Sequence, residues 1–328
     1  MITTVVGNYP KIPDLPAPGK WRTAAERLQK GQIDQAAMRE VEDEVTLEAI
    51  ADQVEAGIDL ITDGQIRWDD AQTYFARQLT GFAINGLQRY FDTNIYYREP
   101  VAEREVAWTA PMAVRDYEFA HAHSARPVKA VITGPFTLAA LSRNQHYANR
   151  RTYMQALADA LNHELRALQH AGAQVLQIDE PAICRHAQEY DLFADAIQRL
   201  LSGISAKTIL CMYFGDIGGI YPRVLDLPCD VLGLDFVAGY RNWEILGRAP
   251  FSKDLMFGIL DARNTRVESV DEVVAAIGKV TAMVPAERLM VSPSAGLEFL
   301  PRSVAKRKLQ RLVEATRTAD GTLQEVRV

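Results

Sequence analysis

VLQIDEP, at residues 175–181, is the stretch whose pattern decides the fold. Its first four residues are mostly apolar, and Asp179, Glu180 and Pro181 follow at once. A run this short is typical of a strand rather than a helix, and it lacks the strict alternation of a half-exposed strand. The stretch therefore predicts a strand covered on both faces, with two carboxylates at its carboxyl end.

Seven further runs of this kind lie on both sides of the stretch, and helical patterns separate them. They are TTVVGN (3–8), DLITDG (59–64), VKAVITGP (128–135), TILCMYF (208–214), VLGLDF (231–236), LMFGILD (255–261) and LMVSPSAG (289–296). Eight strands alternating with helices predict an α/β fold, a (β/α)8 TIM barrel that forms a single domain over residues 1–328. A doubly wound sheet is the competing interpretation, but no GxGxxG or GxxxxGK[ST] turn follows any run.

One connection, between the second and third predicted strands, is much longer than the others. Aromatic and β-branched side chains occur in two groups within it, at 90–97 and 101–108, and a helical pattern covers 111–122. Two such groups predict a β-hairpin. Long insertions of this kind are usually lids or binding platforms. We therefore predict a hairpin lid over residues 82–126.

The composition is that of a globular protein, with 328 residues, 48% hydrophobic and 24% charged. A formal net charge of −6 without a basic run argues against a nucleic-acid partner. No apolar stretch reaches the ~18–20 residues of a membrane helix, and the N-terminus lacks a secretory signal pattern. Three cysteines are too few for a disulfide framework, which fits a reducing compartment. Composition thus predicts a cytoplasmic enzyme that acts on a small molecule and has no membrane partner.

Polar residues and glycines follow most of the predicted strands, at the end where barrel enzymes place their active sites. In chain order they are Gly7, Asn8, Asp63, Gly64, Gln65, Thr133, Gly134, Asp179, Glu180, Cys211, Tyr213, Asp235, Asp261, Arg263, Ser292 and Ser294. One or two of them could be helix caps, whereas a set that converges on one face predicts an active site.

The motifs TTVVGNYP, LITDGQ, ITGPFTL, LQIDEPA, LCMYFGD and LGLD occur in an order and spacing that resemble the catalytic domain of cobalamin-independent methionine synthase. The resemblance covers roughly residues 2–315. It implies a (β/α)8 barrel that transfers a methyl group from a folate to the sulfur of homocysteine. It also implies a zinc ion that converts this thiol into the more nucleophilic thiolate.

The family's zinc-ligand positions are changed in this sequence. They correspond to Cys211, Tyr213, Asp235 and Ala295, of which Cys211 and Asp235 are ordinary zinc ligands. A catalytic zinc ion normally has three protein ligands. The resemblance therefore predicts zinc that is weakly bound or absent, with Cys211 and Asp235 as the remaining ligands.

Two more changes alter the charge of the expected site. A family Glu that helps to hold the ammonium group of homocysteine is Gln65 here, and a family His is Arg263, whereas the second ammonium contact, Asp179, is retained. The gain in positive charge predicts weak binding of homocysteine and better binding of a more anionic ligand. We expect Cys211, Asp179, Arg263 and Tyr213 to be catalytic, and Gly7, Asn8, Gln65, Asp179 and Glu180 to bind the substrate.

Structural roles compete with these functional ones. Cys211 could be a metal ligand, an activated nucleophile or a small buried apolar side chain. Asp235 could cap a following helix. Asp179 and Glu180 point to opposite faces if the strand continues, so one could face the site while the other fixes a loop.

Three functions fit the sequence. The first is a methionine-synthase-like transferase that moves a methyl or alkyl group to or from a small thiol or thioether, with an altered or absent zinc site. The second is a metal-independent lyase, hydrolase or demethylase on the same barrel, and the third is a catalytically silent paralogue that binds a ligand. We expect this protein to lack the N-terminal repeat of the family, in which case a methyl-folate would bind this barrel alone, or a methylated partner protein would deliver the methyl group. The oligomeric state stays open.

Overall fold

Helices alternate with strands along the chain, as the sequence predicts. The computed structural model describes residues 1–14, 19–91 and 96–327. Its α-helices are α1 (Lys20–Gln29), α2 (Gln35–Ala56), α3 (Thr73–Ala76), α4 (Val114–Ala122), α5 (Pro135–Ala140), α6 (Arg150–His170), α7 (Tyr190–Leu200), α8 (Asn242–Ile245), α9 (Val270–Thr281) and α10 (Arg302–Arg327). Within the described residues, none of the helices is long and apolar enough to cross a membrane.

The strands form one large parallel sheet and one small sheet. They are β1 (Ile2–Thr3), β2 (Thr80–Arg89), β3 (Tyr96–Ala107), β4 (Ala130–Thr133), β5 (Arg143–Asn144), β6 (Val175–Asp179), β7 (Lys207–Met212), β8 (Val231–Asp235), β9 (Asp254–Leu260) and β10 (Leu289–Pro293). The large sheet has seven strands in the order β1-β10-β9-β8-β7-β6-β4. A parallel sheet whose strands alternate with helices confirms the predicted fold class.

The predicted strand over 59–64 is an exception, because residues 60 and 61 form only isolated parallel bridges. The buried side chain of Gln53 forms hydrogen bonds with the backbone groups that would otherwise continue the strand. Its Oε1 accepts from the N–H of Thr62 at 3.1 Å, and its Nε2 donates to the carbonyl of Thr62 at 3.0 Å. The prediction that this run is buried was right, but its length as a strand was wrong.

The chain divides into two compact units. The first contains Met1–Arg67, Phe119–Val128 and Leu234–Val328, and the second contains Trp68–Glu118 and Lys129–Gly233. In the first unit, β10 pairs in parallel with β1 and with β9. α9 begins there with a capping box, in which the side chains of Ser269 and Glu272 each accept from the other residue's backbone N–H.

In the second unit, the strand register aligns residues at the carboxyl ends of three parallel strands. β6 pairs with β4 so that Asp179 lies opposite Thr133, and with β7 so that Asp179 lies opposite Cys211. The same unit contains α6, which buries the apolar stripe that predicted a helix over 151–171. The register therefore sets the positions of two candidate site residues.

The second unit also contains the small sheet. β2 and β3 pair antiparallel, and β5 pairs in parallel with β3. β2 and β3 fall almost entirely in the segment 82–126 for which we predicted a hairpin lid, whereas β5 follows it, and residues 92–95 between β2 and β3 lie outside the described residues. The role of this segment as a lid stays a prediction.

Candidate functional site

Three candidate residues lie together at the strand ends of the second unit. Asp179 ends β6, Cys211 lies opposite it on β7, and Tyr213 follows β7 directly. All three side chains are buried. Gln177 donates a hydrogen bond to Asp179, and Lys129 interacts electrostatically with Cys211 and Asp179. We call these five residues the strand-end cluster.

The carboxylate of Asp179 is the acceptor that organises this cluster. Gln177 donates from Nε2 to Oδ1 of Asp179 at 2.7 Å, and the hydroxyl of Tyr213 donates to Oδ2 at 3.3 Å. Burial, followed by the nearby charge of Asp179, raises the pKa of Tyr213 well above its usual value. Tyr213 therefore stays a protonated phenol and serves as a hydrogen-bond donor.

A buried lysine belongs to the same cluster and was missed by the sequence analysis. Lys129 lies just before β4, is 1% exposed, and interacts electrostatically with Cys211 and Asp179. Burial lowers the pKa of Lys129 to about 8, against the opposing effect of these two neighbours. At neutral pH the amino group of Lys129 is therefore mostly protonated, and its positive charge balances the negative charge of Asp179. The available sequence signal was a lone lysine inside the apolar run at 128–135.

The adjacent carboxylate, Glu180, accepts its hydrogen bonds from residues outside the strand-end cluster. Its Oε1 accepts from the N–H of Phe136 at 2.9 Å, and its Oε2 accepts from the N–H and hydroxyl of Thr137 at 2.7 and 2.6 Å. These N–H groups lie in the first turn of α5, where backbone donors have no partner within the helix. Both oxygens thus serve the start of α5, which assigns Glu180 a structural role in place of the predicted substrate contact.

Replacing Glu180 with Gln is expected to lower the free energy of unfolding by about 2 kcal/mol, because an amide has one acceptor oxygen and would turn its NH₂ group toward the remaining donors. Chemical denaturation at pH 7.5 measures the difference. Glu103→Gln, which changes an exposed carboxylate of the same unit, is the control. Equal stabilities for Glu180→Gln and the wild type would contradict this role.

In the first unit, the loop after β1 is held between two other strand-end loops. On one side, Tyr9 donates its N–H to the carbonyl of Gly64 at 2.9 Å. On the other side, Leu297 donates its N–H to the carbonyl of Asn8 at 2.8 Å. The loops after the first, second and eighth predicted strands therefore lie together.

Gly7, Asn8, Gln65 and Glu298 of these loops form what we call the loop cluster. Asn8 donates from Nδ2 to Oε1 of Glu298 at 3.2 Å. Gln65 is 2% exposed, and a Cβ on Gly7 would come within 2.4 Å of its Nε2, so a side chain at position 7 would displace the amide group of Gln65. Glu298 was not among the sequence candidates, and its signal was an acidic residue shortly after the last predicted strand.

Three polar atoms of the loop cluster are buried and have no hydrogen-bond partner among the residues that the structure describes. They are Oδ1 of Asn8, Nε2 of Gln65 and Oε2 of Glu298. Buried polar atoms in native proteins are nearly always paired, so such a group points to a ligand, an ion or water. Burial also raises the pKa of Glu298 to about 7. The loop cluster presents one donor and two acceptors.

The other two candidates have separate surroundings in the first unit. Asp235, at the end of β8, accepts at Oδ1 from the N–H groups of Val237 and Ala238 at 2.8 and 2.9 Å. The carboxylate thus stabilises the turn that follows β8. The interpretation of Asp235 as a helix cap was wrong, because the next helix, α8, begins only at Asn242 and has Arg241 at its N-cap. Arg263 is exposed, and its backbone N–H donates to Oδ1 of Asp261 at 2.9 Å. A role for Arg263 in anion binding or catalysis stays a prediction.

The positions that correspond to the family's zinc ligands do not supply a matching donor set. Ala295 has no ligand atom, Tyr213 is a protonated phenol that donates to Asp179, and Asp235 uses Oδ1 for a turn. Among the residues that the structure describes, no three His, Cys, Asp or Glu side chains are grouped to hold a metal ion. Because catalytic zinc needs about three protein ligands, these residues do not fit the zinc site implied by the resemblance.

Comparison with known sequences gives matches along almost the whole chain. The family described as "Cobalamin-independent synthase, Catalytic domain" matches residues 1–318. A protein of Saccharolobus solfataricus named methionine synthase is 32% identical over 325 residues, which cover 98% of this chain and 96% of that protein. A protein of the same name from Sulfurisphaera tokodaii is 32% identical over 317 residues, covering 96% of this chain and 91% of its own.

Solved structures share the fold. A B12-independent methionine synthase from a Shewanella species, in complex with selenomethionine, superimposes with a TM-score of 0.86 at 21% identity, over 98% of both chains. A putative vitamin-B12 independent methionine synthase from Listeria monocytogenes gives a TM-score of 0.78 at 17% identity, over 97% of this chain and 98% of that one. These likenesses extend the shared fold over the full chain.

Proposed function

The chain belongs to the cobalamin-independent methionine synthase family, and we propose that it is a methyltransferase acting on the sulfur of a small thiol or thioether such as homocysteine. The observation that carries this proposal is the family match over residues 1–318. Relatives named methionine synthase that align with nearly the whole chain support it. The strand-end cluster supports it as well, because Asp179 and Tyr213 bring a carboxylate and a phenol to the strand ends where barrel enzymes carry out chemistry, and the buried Lys129 interacts electrostatically with Asp179.

The proposed reaction forms a bond between the substrate sulfur and the methyl carbon, and breaks the bond between this carbon and the donor. With a thiol substrate, the thiol loses its proton, because the thiolate is the nucleophile. The demethylated donor keeps the electron pair of the broken bond and takes up one proton as it leaves, so the reaction has no net change in protons or oxidation state. Lys129 favours an anion near the ends of β6 and β7, since charge interactions are strong in a buried environment. Asp179 provides a proton or ammonium acceptor there, and Tyr213 keeps its carboxylate oriented.

We further propose that the zinc site is altered and that thiol activation in this protein does not depend on a tightly held zinc ion. The support is the donor set: one thiol at Cys211, a phenol, a carboxylate engaged in a turn, and a methyl group at Ala295. The positive charge of Lys129 is a resident alternative for stabilising an anion beside Cys211 and Asp179. No step of the proposed reaction is assigned to a metal ion.

Purified protein is expected to contain far less than one equivalent of zinc after dialysis against a chelator, because about three ligands are needed for tight binding. Elemental analysis by mass spectrometry measures the zinc content of the wild type and of Cys211→Ser. The two proteins should give the same low value. Stoichiometric zinc in the wild type that disappears in Cys211→Ser would contradict the altered site.

We propose that the methyl donor is either a methylated folate bound by this chain or a methylated partner protein. Purified protein is incubated with homocysteine, or with an amine-free thiol such as 3-sulfanylpropanoate, and ¹³C-methyl-tetrahydrofolate. A parallel incubation replaces the folate with extract of the producing cells, and mass spectrometry detects the methylated thiol. Formation of a thioether that is ¹³C-labelled in the folate incubation, or that forms in the extract incubation only when the purified protein is added, supports the transferase. A failure of both thiols with both donor sources would overturn it in favour of a lyase, a hydrolase or a ligand-binding paralogue.

A further inference from the structure

The loop cluster of the first unit has polar atoms that no group within residues 1–14, 19–91 and 96–327 satisfies. Oε1 of Glu298 is bonded to Asn8, whereas its Oε2 is buried and unpaired. Oδ1 of Asn8 and Nε2 of Gln65 are also buried and unpaired. Leaving three such atoms without partners is costly, which is why a set of them indicates a ligand that completes their hydrogen bonds.

Two glycines allow the side chains of the cluster to take these positions. A Cβ on Gly7 would lie 2.4 Å from Nε2 of Gln65, and a Cβ on Gly296 would lie 2.3 Å from Oε2 of Glu298. Both unpaired atoms therefore rest against backbone that carries no side chain. The bond between Leu297 and Asn8 holds the two loops together, so the cluster is organised before any ligand binds.

We propose that Glu298, oriented by Asn8, binds the protonated amino group of a small amino-acid ligand, and that Nε2 of Gln65 donates to an acceptor of the same ligand. The cluster matches such a ligand in chemistry. Its two acceptor atoms, on Asn8 and Glu298, carry one negative charge and suit an ammonium group, and its one amide donor, on Gln65, suits a carboxylate. This inference rests on the proposed function, which makes homocysteine or methionine the ligand. Glu298 adds a carboxylate that the sequence analysis, with Asp179 as the remaining ammonium contact, did not include.

The raised pKa of Glu298 adds a pH dependence to this binding. Burial raises this pKa, and it outweighs the opposing effects of the bond from Asn8 and of the positive charge of Lys11. An ammonium group prefers the ionised carboxylate, and the carboxyl group of the ligand-free protein ionises at about pH 7. Affinity for methionine should therefore rise from pH 6 to pH 7.5 and level off above this range. In Glu298→Gln the same titration should be flat.

Calorimetry with two probes tests the inference. The probes are L-methionine and 2-hydroxy-4-(methylsulfanyl)butanoate, in which a hydroxyl group replaces the amine. Wild type should bind methionine about 10- to 100-fold more tightly than the hydroxy acid, the usual worth of one charge-assisted hydrogen bond. Glu298→Gln should lose this preference, and Glu314→Gln, which changes an exposed carboxylate on α10, should keep it.

A relocated charge provides a second test that does not depend on loss of function. The double variant Gln65→Glu with Glu298→Gln moves the carboxylate within the cluster, and it should recover a preference for the amine. Thermal melts of all variants confirm that they are folded.

Two outcomes would overturn the inference: an amine preference that persists unchanged in Glu298→Gln, or a wild type that does not prefer methionine. Methyl transfer to 3-sulfanylpropanoate without any amine preference would leave the proposed function standing and remove this inference. An amine preference that is lost in Glu298→Gln, without methyl transfer by the wild type, would keep the inference and remove the proposed function.

Discussion

Asp179→Asn is expected to reduce kcat/KM for methyl transfer by about 100- to 1,000-fold, within the range that a positioned proton acceptor typically contributes to a reaction. The carboxylate accepts from both Gln177 and Tyr213 and balances the charge of Lys129. An amide has one acceptor oxygen, so it must turn its NH₂ group toward one of these donors. It also leaves the Lys129 ammonium without its negative neighbour.

Tyr213→Phe is the matched comparison for this prediction. It removes a neutral donor whose bond to Asp179 is 3.3 Å long, so we expect a loss of about 5-fold, near the net worth of one neutral hydrogen bond. Steady-state kinetics with saturating donor and varied thiol give kcat/KM for the three proteins, and denaturation curves show whether they are folded. Near wild-type activity in a folded Asp179→Asn protein would remove Asp179 from the site.

The fold could be predicted from local patterns because its strands are short, apolar and separated by helical stretches. A strand covered on both faces needs no alternation, so the composition of each run carries the signal. The run at 59–64 has the same composition and still forms only isolated bridges. Its backbone is satisfied by Gln53, a residue of α2, and a hydrogen bond from a distant side chain leaves no mark in the run itself.

The candidate site was predictable only in part. Asp179 and Cys211 end neighbouring strands, and the register that places them opposite each other follows from the parallel sheet. Glu180 and Asp235 carry the same signal, a carboxylate after a strand, yet both accept from backbone N–H groups. Which carboxylate caps and which faces the site depends on the direction of one side chain, and a sequence pattern does not define this direction.

Lys129 and Glu298 were missed for a different reason. A charge in the middle of an apolar run looks like an interruption of the pattern, and an acidic residue in a loop looks solvated. The role of each residue depends on neighbours that are distant in sequence. Lys129 interacts electrostatically with Cys211 and Asp179, and Glu298 accepts a hydrogen bond from Asn8. Buried polar groups are costly unless paired, so they identify functional clusters once the contacts are known.

Lys308→Met is expected to destabilise the protein by about 3–5 kcal/mol, the cost of removing one partner from a buried ion pair. Lys308 is fully buried in α10, and its Nζ lies 2.7 Å from Oε2 of Glu268. Oε1 of Glu268 accepts from the N–H of Asp261 at 2.8 Å, which ties the pair to the loop that carries Arg263. Without the ammonium group, the buried carboxylate of Glu268 would retain its charge with too few partners.

Lys306→Met, two residues earlier on the same helix, is the matched control. It also removes one positive charge from α10, but not from a buried ion pair. Lys306 pairs with Asp52 and Glu55 at 3.1 and 2.6 Å, but it is partly exposed, so its removal should cost at most about 1 kcal/mol. Adding Glu268→Leu to Lys308→Met should restore part of the lost stability, since no unpaired charge would then remain buried. Urea denaturation of the four proteins gives the free energies. Equal values for Lys306→Met and Lys308→Met would mean that the buried pair does not stabilise this loop.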